Sequence, residues 1–322
     1  MSTTDRVADA PSGAWVYRLL PRTVWPYAQL ARWDRPIGWW LLLWPCWWSV
    51  MLAAIARPPG STYFGVPPAA LVALLALFWL GAVAMRGAGC TYNDLVDRRI
   101  DARVARTASR PLPSGRVTPG GAKAFMLAQV MVGFAVLLAL CLFVDGFNRF
   151  AFALAVASLA IVALYPFAKR VTDWPQLVLG LAFSWGALMG WAVVFGELAL
   201  PPVLLYAGAV AWTIGYDTIY AHQDKEDDAL VGVRSTARLF GHRTRGALVA
   251  FYGLAFALIL SAIATAGAGW PAHAGVAAGA LQMFWQIERL DIDDADQCLR
   301  LFRSNTLFGW LVFGGLVADY AL

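Results

Sequence analysis

The stretch Asn93-Asp94-Leu95-Val96-Asp97-Arg98-Arg99-Ile100-Asp101 closely follows an apolar run over 68–87. A run of about 20 apolar residues is long enough to cross a bilayer as a helix. Carboxylates set at the end of such a run are costly and are usually functional. Helical neighbours three or four residues apart share a face, so Asn93, Asp97 and Asp101 form one stripe, with Asp94 beside it. The reading is an all-α, polytopic membrane protein whose charged chemistry is gathered at helix ends.

The composition agrees. Of 322 residues, 60% are hydrophobic and only 14% charged, and the mean hydropathy is +0.60. A soluble globular chain is far from this profile. Apolar runs at 37–56, 68–87, 123–144, 150–167, 176–195, 200–216, 246–266, 273–288 and 305–322 predict about nine spans, with two long polar connections at 88–122 and 217–245. The 16 Trp residues suit interfacial belts and a large apolar cavity. The cysteines, Cys46, Cys90, Cys141 and Cys298, show no CxxC pairing, so neither a disulfide framework nor a zinc site is indicated. No cleavable signal peptide is evident. Residues 1–30 read as an N-terminal cytoplasmic or membrane-surface segment with a surface helix over 14–30, and 31–322 as a single transmembrane domain.

The net charge of +5 does not indicate nucleic acid, because the basic residues sort by membrane side rather than into one patch. With the N-terminus in the cytoplasm, Arg98, Arg99, Arg110, Arg116, Lys169, Arg170, Lys225, Arg234 and their neighbours share the inner side. Only Arg57 and Arg149 remain outside. This arrangement puts a second acidic cluster, Asp217-Thr218-Ile219-Tyr220-Ala221-His222-Gln223-Asp224-Lys225-Glu226-Asp227-Asp228, on the same side as the first. In it Asp217, Tyr220, Asp224 and Asp228 fall on one helical face. The clusters follow the second and sixth spans, as in a four-helix unit used twice, with a site lined from both halves. Two such carboxylate sets repel unless a cation sits between them, and Mg²⁺ carrying a diphosphate is the simplest guest. Arg86, Lys169 and Arg170 are the candidate cations that complete the charge balance.

Specific strings extend this reading. Asp34-Arg35-Pro36-Ile37-Gly38 opens the first span and Met85-Arg86-Gly87-Ala88-Gly89-Cys90 leads into the first cluster. Arg110-Pro111-Leu112-Pro113-Ser114-Gly115 follows that cluster, and Tyr165-Pro166-Phe167-Ala168-Lys169-Arg170 closes the fourth span. From about Arg32 to the C-terminus the chain resembles the UbiA family of membrane aromatic prenyltransferases, and within it the branch that prenylates 4-hydroxybenzoate for ubiquinone synthesis. The resemblance implies nine helices around a central cavity open laterally to lipid. It implies polyprenyl diphosphate and 4-hydroxybenzoate as substrates, with Mg²⁺ and the diphosphate held by Asn93, Asp97, Asp101, Asp224 and Asp228 and by the basic Arg170. Position 35 is Arg where many members have Lys, and residues 1–30 carry nothing over from the family. The short N-terminus favours a bacterial inner membrane with the site facing the cytoplasm.

On this reading an aspartate, Asp94 or Asp217, takes the phenolic proton, and Arg35 is a candidate partner for the benzoate carboxylate. Tyr165, Trp185, Tyr216 and Tyr220 are candidates for shielding an allylic cation. Two alternatives stay open: another aromatic acceptor, and a cation-coupled transporter. The transporter is less favoured because transport sites usually lie near the bilayer midplane.

Overall fold

The computed structural model describes residues 7, 13–56, 65–103, 107–143, 146–225, 232 and 234–322, of which Asp224 is described in its backbone alone. Among the described residues every regular element is helical: α1 Val16–Leu19, α2 Trp25–Leu30, α3 Ile37–Ile55, α4 Pro68–Asp101, α5 Pro119–Cys141, α6 Arg149–Val171, α7 Pro175–Phe183, α8 Gly186–Phe195, α9 Leu200–Ala221, α10 Thr236–Phe240, α11 Thr244–Thr265, α12 Trp270–Arg289 and α13 Ala295–Ala321. Local signals set several starts. Pro occupies the first turn of α2, α7, α9 and α12, where its missing N–H costs nothing. Asn148 and Asp294 cap α6 and α13 by accepting from Ala151 N at 2.9 Å and Gln297 N at 2.8 Å.

Outward faces are apolar. On α4, Leu71, Leu74, Phe78 and Ala82 are buried, whereas Val72, Trp79 and Leu80 are exposed. Leu127 and Met131 of α5, Leu164 of α6 and Leu281 and Phe284 of α12 are also exposed. This pattern fits lipid rather than water as the surrounding solvent. Among the described residues seven helices are long and apolar enough to cross a membrane: Ile37–Ile55, Pro68–Asp101, Pro119–Cys141, Arg149–Val171, Pro175–Phe195, Thr236–Thr265 and Ala295–Ala321. The count of nine is not reached. The runs at 200–216 and 273–288 do form helices, α9 and α12, but their apolar character is diluted by groups that hydrogen-bond inside unit 2.

The expected surface helix over 14–30 is broken. Leu20 is extended, with ψ 147°, because the residue before Pro21 is driven out of the helical region. A 3₁₀ turn, Arg22–Val24, then leads into α2. The run at 176–195 also splits, between α7 and α8, where Ala187 N and Leu188 N bond back to Ser184 O and Trp185 O at 2.8 and 3.0 Å.

The chain forms two compact units: unit 1, Met1–Trp40 with Trp79–Leu138, and unit 2, Leu41–Phe78 with Ala139–Leu322. In unit 1, Leu30, Leu112, Val117 and Ala122 form a core that ties α2 to the loop after α4 and to α5. Tyr27 and Trp33 both pack on Phe125. In unit 2 much of the tryptophan content goes inward. Trp44, Trp48 and Trp212 are fully buried, with Trp48 and Phe308 both against Trp212. Their polar tips are met: Trp48 Nε1 donates to Gly309 O at 3.1 Å and Trp212 Nε1 to Asn305 Oδ1 at 2.9 Å. Gln286 Nε2 donates to the same Asn305 oxygen and Tyr252 OH donates to Gln286 Oε1. This network joins α9, α11, α12 and α13, and hydrogen bonding of this kind holds helices together where lipid offers no hydrophobic drive.

Gly275 of α12 and Gly315 of α13 bring two backbones together. A Cβ on Gly275 would lie 2.6 Å from Leu311 O and 2.8 Å from Gly315 Cα. Neither neighbour is a flexible side-chain end, so the helices must separate. Gly275→Ala is expected to cost about 1–3 kcal/mol, read as a lower unfolding midpoint in detergent. Gly314→Ala, with nothing near its Cβ position, serves as the unaffected control.

Candidate functional site

The first acidic motif occupies the last turns of α4 in unit 1. The helix runs unbroken for 34 residues through Asp101, so the polar connection that begins at 88 is helical to the end of the motif. The i, i+4, i+8 stripe is real: Asn93 is half-buried, and Asp97 and Asp101 are 1% and 7% exposed. Asp94, at 0%, lies three and seven residues from them and shares the inward face.

Buried carboxylates need cations and donors. Arg32 Nη2 meets Asp94 Oδ1 at 2.7 Å. Arg110 Nη1 lies 3.5 Å from the same oxygen and 3.1 Å from Asp101 Oδ2. Thr107 Oγ1 donates to Asp101 O at 2.8 Å, fastening the chain just beyond the motif. A second polar chain flanks the first. Arg35 Nε sits 3.2 Å from Asp34 Oδ1, Tyr17 OH donates to Asp34 Oδ2, and Gln29 Nε2 donates to Tyr17 OH. Arg116 Nη1 reaches Gln29 Oε1 at 2.8 Å. Burial, and then the Asp34 carboxylate, push the Tyr17 phenol above its ordinary value. Arg86 lies across α3 at Gly38, where a Cβ would stand 2.7 Å from its Nε. The glycine of the Asp34–Gly38 string therefore makes room for the guanidinium.

The second motif belongs to unit 2. Asp217 and Tyr220 are half-buried on the last turns of α9, and Tyr220 packs on Phe302 with ring centroids 4.5 Å apart. Of the face expected over Asp217, Tyr220, Asp224 and Asp228, the described α-helix carries Asp217 and Tyr220. The α-helix ends at Ala221 and a 3₁₀ turn, His222–Asp224, replaces it, which changes the residues per turn. Asp228, with Glu226 and Asp227, lies outside the described residues. His222 bonds to Thr244 Oγ1 at 3.0 Å. Burial, with Lys225 adding to it, brings its imidazole down to about 4, so it is neutral. Lys225 is tied to the Asp293 carboxylate and to Ile292 O. Lys169 and Arg170 end α6. Lys169 O accepts from Arg234 N at 3.0 Å, and Arg170 is exposed, with its guanidinium 5.7 Å from the Phe167 ring centre.

Among the described residues there is no group of three or more His, Cys, Asp or Glu side chains that could cage a metal. The donors present nevertheless suit Mg²⁺, which takes oxygen ligands and completes its shell with water and substrate phosphate. Asp97 and Asp101 supply buried carboxylate oxygens. The adjacent Asp94 Oδ2 is buried with no hydrogen-bond partner among the described residues.

These features define a polytopic helical membrane protein whose charged chemistry is concentrated at helix ends. The chain belongs to the UbiA prenyltransferase family, whose pattern matches residues 42–312. It is 45% identical over 305 residues to the mitochondrial 4-hydroxybenzoate polyprenyltransferase of Arabidopsis thaliana, covering 94% of this chain and 71% of that protein. To the enzyme of the same name from Rattus norvegicus it is 44% identical, covering 95% and 78%. Among solved structures, a UbiA homologue from Aeropyrum pernix K1 superposes with a TM-score of 0.70 at 27% identity, covering 87% of this chain and 97% of that one. A homologue from Archaeoglobus fulgidus, bound to GPP and Mg²⁺, has the same fold, with a TM-score of 0.61 at 18% identity over 92% of this chain and all of that one. The expected bacterial inner membrane is overturned. The relatives are named mitochondrial, which points to a mitochondrial membrane. The expectation rested on the short N-terminus alone, and the length of that segment is no physical guide to the compartment.

Arg32, Asp34, Gln29 and Arg116 were not singled out as site residues from sequence, and Arg110 appeared only within a motif. No periodicity links them to α4. Asp94→Ala removes the anion shared by Arg32 and Arg110, whose side chains are 10% and 13% exposed. Leaving one side of a buried ion pair without its partner costs about 3–5 kcal/mol. Thermal unfolding of the purified protein is expected to show a loss of that size.

Proposed function

We infer that this chain transfers a polyprenyl group from polyprenyl diphosphate to the ring carbon ortho to the hydroxyl of 4-hydroxybenzoate, releasing diphosphate, in ubiquinone biosynthesis. The observation that carries this reading is the likeness, along nearly the whole chain, to relatives bearing that name. The transporter reading is set aside with it.

Asn93, Asp97 and Asp101, with Asp224 and Asp228 of the second motif, are the oxygens assigned to Mg²⁺. The burial of Asp97 and Asp101 on one face of α4 supports the first three. When bound, Mg²⁺ neutralises the diphosphate as a leaving group. Arg170 and Lys169, at the end of α6, supply further positive charge for the phosphates. The allylic C–O bond breaks with its electron pair going to the departing diphosphate, the aromatic carbon ortho to the phenol oxygen forms the new C–C bond, and that carbon loses its proton to restore aromaticity as the oxygen regains the proton it gave to the carboxylate. Asp94 and Asp217 are the two carboxylates considered for the phenolic proton, and they differ in burial. Asp94 is fully buried, with Oδ1 already engaged by two guanidiniums, whereas Asp217 is half-buried on α9. Arg86 is assigned to an anionic group of the substrates. Arg35 is a weaker candidate for the benzoate, since its guanidinium already faces Asp34. The aromatic faces of Tyr216 and Tyr220 suit an allylic cation.

Asp97→Ala and Asp224→Ala are each expected to lower prenyl transfer by more than about 100-fold, the scale on which loss of one charge-stabilising group is felt. EDTA should stop the reaction and added Mg²⁺ should restore it. The assay uses 4-hydroxybenzoate with prenyl diphosphates of several lengths. Full activity in EDTA would remove the metal from this reading. Gly38→Ala should leave the unfolding midpoint nearly unchanged, because the flexible end of Arg86 can move. Transfer should nevertheless fall by about tenfold or more, because small misplacements are expensive at a reacting centre.

A further inference from the structure

Residues 1–30 carry nothing over from the family resemblance, yet α2 is built into unit 1 by one unusual residue just past its end. α2 ends in a paired-bond cap. Trp33 N donates to Ala28 O at 2.9 Å and Arg32 N to Gln29 O at 3.2 Å. This is the geometry in which the residue past the helix end turns left-handed, and glycine is the usual occupant. Here the occupant is Arg32, at φ +58°, the one non-glycine residue with positive φ among the described residues. For a residue with a Cβ that conformation costs about 1–2 kcal/mol. Strain of this kind persists where the surroundings over-determine it, often at functional sites.

What the position gains is the side chain. Arg32 Nη1 donates to Gln29 O at 2.7 Å, which braces the guanidinium against its own cap. Nη2 then reaches Asp94 Oδ1 at 2.7 Å, 62 residues along the chain. Asp94 Oδ1 is also 3.5 Å from Arg110 Nη1, and that nitrogen is 3.1 Å from Asp101 Oδ2. An unbroken run of charge contacts therefore leads from the end of α2 to Asp101. Three of its members are almost fully buried, with Arg32 8%, Asp94 0% and Asp101 7% exposed, and the Arg110 side chain is 13% exposed. At such sites the direction of each carboxylate is set by what holds it.

We propose that Arg32 is a positioning residue for the first acidic motif: the left-handed cap of α2 aims its guanidinium at Asp94, and through Asp94 and Arg110 it fixes Asp101 for a divalent cation. The proposal rests on the assignment of Asn93, Asp97 and Asp101 to Mg²⁺.

The test is direct cation binding by the full chain in lipid nanodiscs, with Mn²⁺ alone as probe and its free electron paramagnetic resonance signal as readout. Arg32→Gly keeps the cap, since glycine favours that backbone, and removes the guanidinium. Mn²⁺ affinity should fall about 10- to 100-fold, the usual effect of losing a group that orients a ligand, while the helical circular dichroism spectrum is retained. Arg32→Lys, which keeps the charge, should recover part of the affinity. Asp94→Asn should match Arg32→Gly, and the double variant should lose no more than either, because both sit on one path. Wild-type affinity in a folded Arg32→Gly protein would overturn the proposal, as would additive losses in the double variant. Should Arg32→Gly fail to fold, the lysine variant and Asp94→Asn decide it by the same comparison. Absence of Mn²⁺ binding by the wild-type chain would instead overturn the metal assignment beneath it.

Discussion

A full negative charge with no exposed surface exists only where cations reach it, and Asp94 is such a charge. Its two guanidiniums come from opposite directions in the sequence, Arg32 before the first span and Arg110 beyond the end of α4. Meeting that requirement draws the end of α2, the last turns of α4 and the loop over 107–117 into one object. The apolar contacts of Leu30 with Leu112, Val117 and Ala122 close around the same junction. In a medium of low dielectric an ion pair gains strength and its unpaired members become costly, so this junction specifies one arrangement more sharply than apolar packing alone would. The stripe of Asn93, Asp97 and Asp101 lies on the same last turns of α4.

The two acidic motifs look like copies in the sequence, but their local structures differ. The first stays on a continuous α-helix to its last aspartate. The second leaves the α-helix at Ala221 and tightens into a 3₁₀ turn. Spacing rules written for 3.6 residues per turn hold for Asp97 and Asp101, whereas the backbone of the second motif changes from α-helix to a 3₁₀ turn at His222.

Much of the fold was legible from runs of apolar residues, because a bilayer leaves backbone groups few partners other than those within a helix. α3, α5 and α6 follow those runs closely, and α4 starts with its run and continues past it through Asp101. α9 and α12 were legible as helices, although Gln282, Gln286, Thr213 and Tyr216 keep them from matching the composition of a lipid-facing span. The stripe on α4 could be read because helical spacing is a local property. The contact between Arg32 and Asp94 could not be read. It joins residues 62 apart and depends on a left-handed cap at a position where the sequence shows arginine instead of the glycine that would have announced the turn. The break between α7 and α8 was equally hidden, since Ser184 is the one polar side chain in the run after Gln176 and a lone serine does not announce the end of a helix. The membrane compartment had no signature in the charge pattern at all.

The length of α4 has a further consequence. Thirty-four residues make a rod of about 51 Å, whereas the hydrocarbon layer is about 30 Å deep. A stiff element that overshoots its surroundings transmits changes at one end to the other. Thickening or thinning of the lipid around the Pro68 end, or a change in the tilt of the rod, shifts the depth at which the aspartates meet the interface.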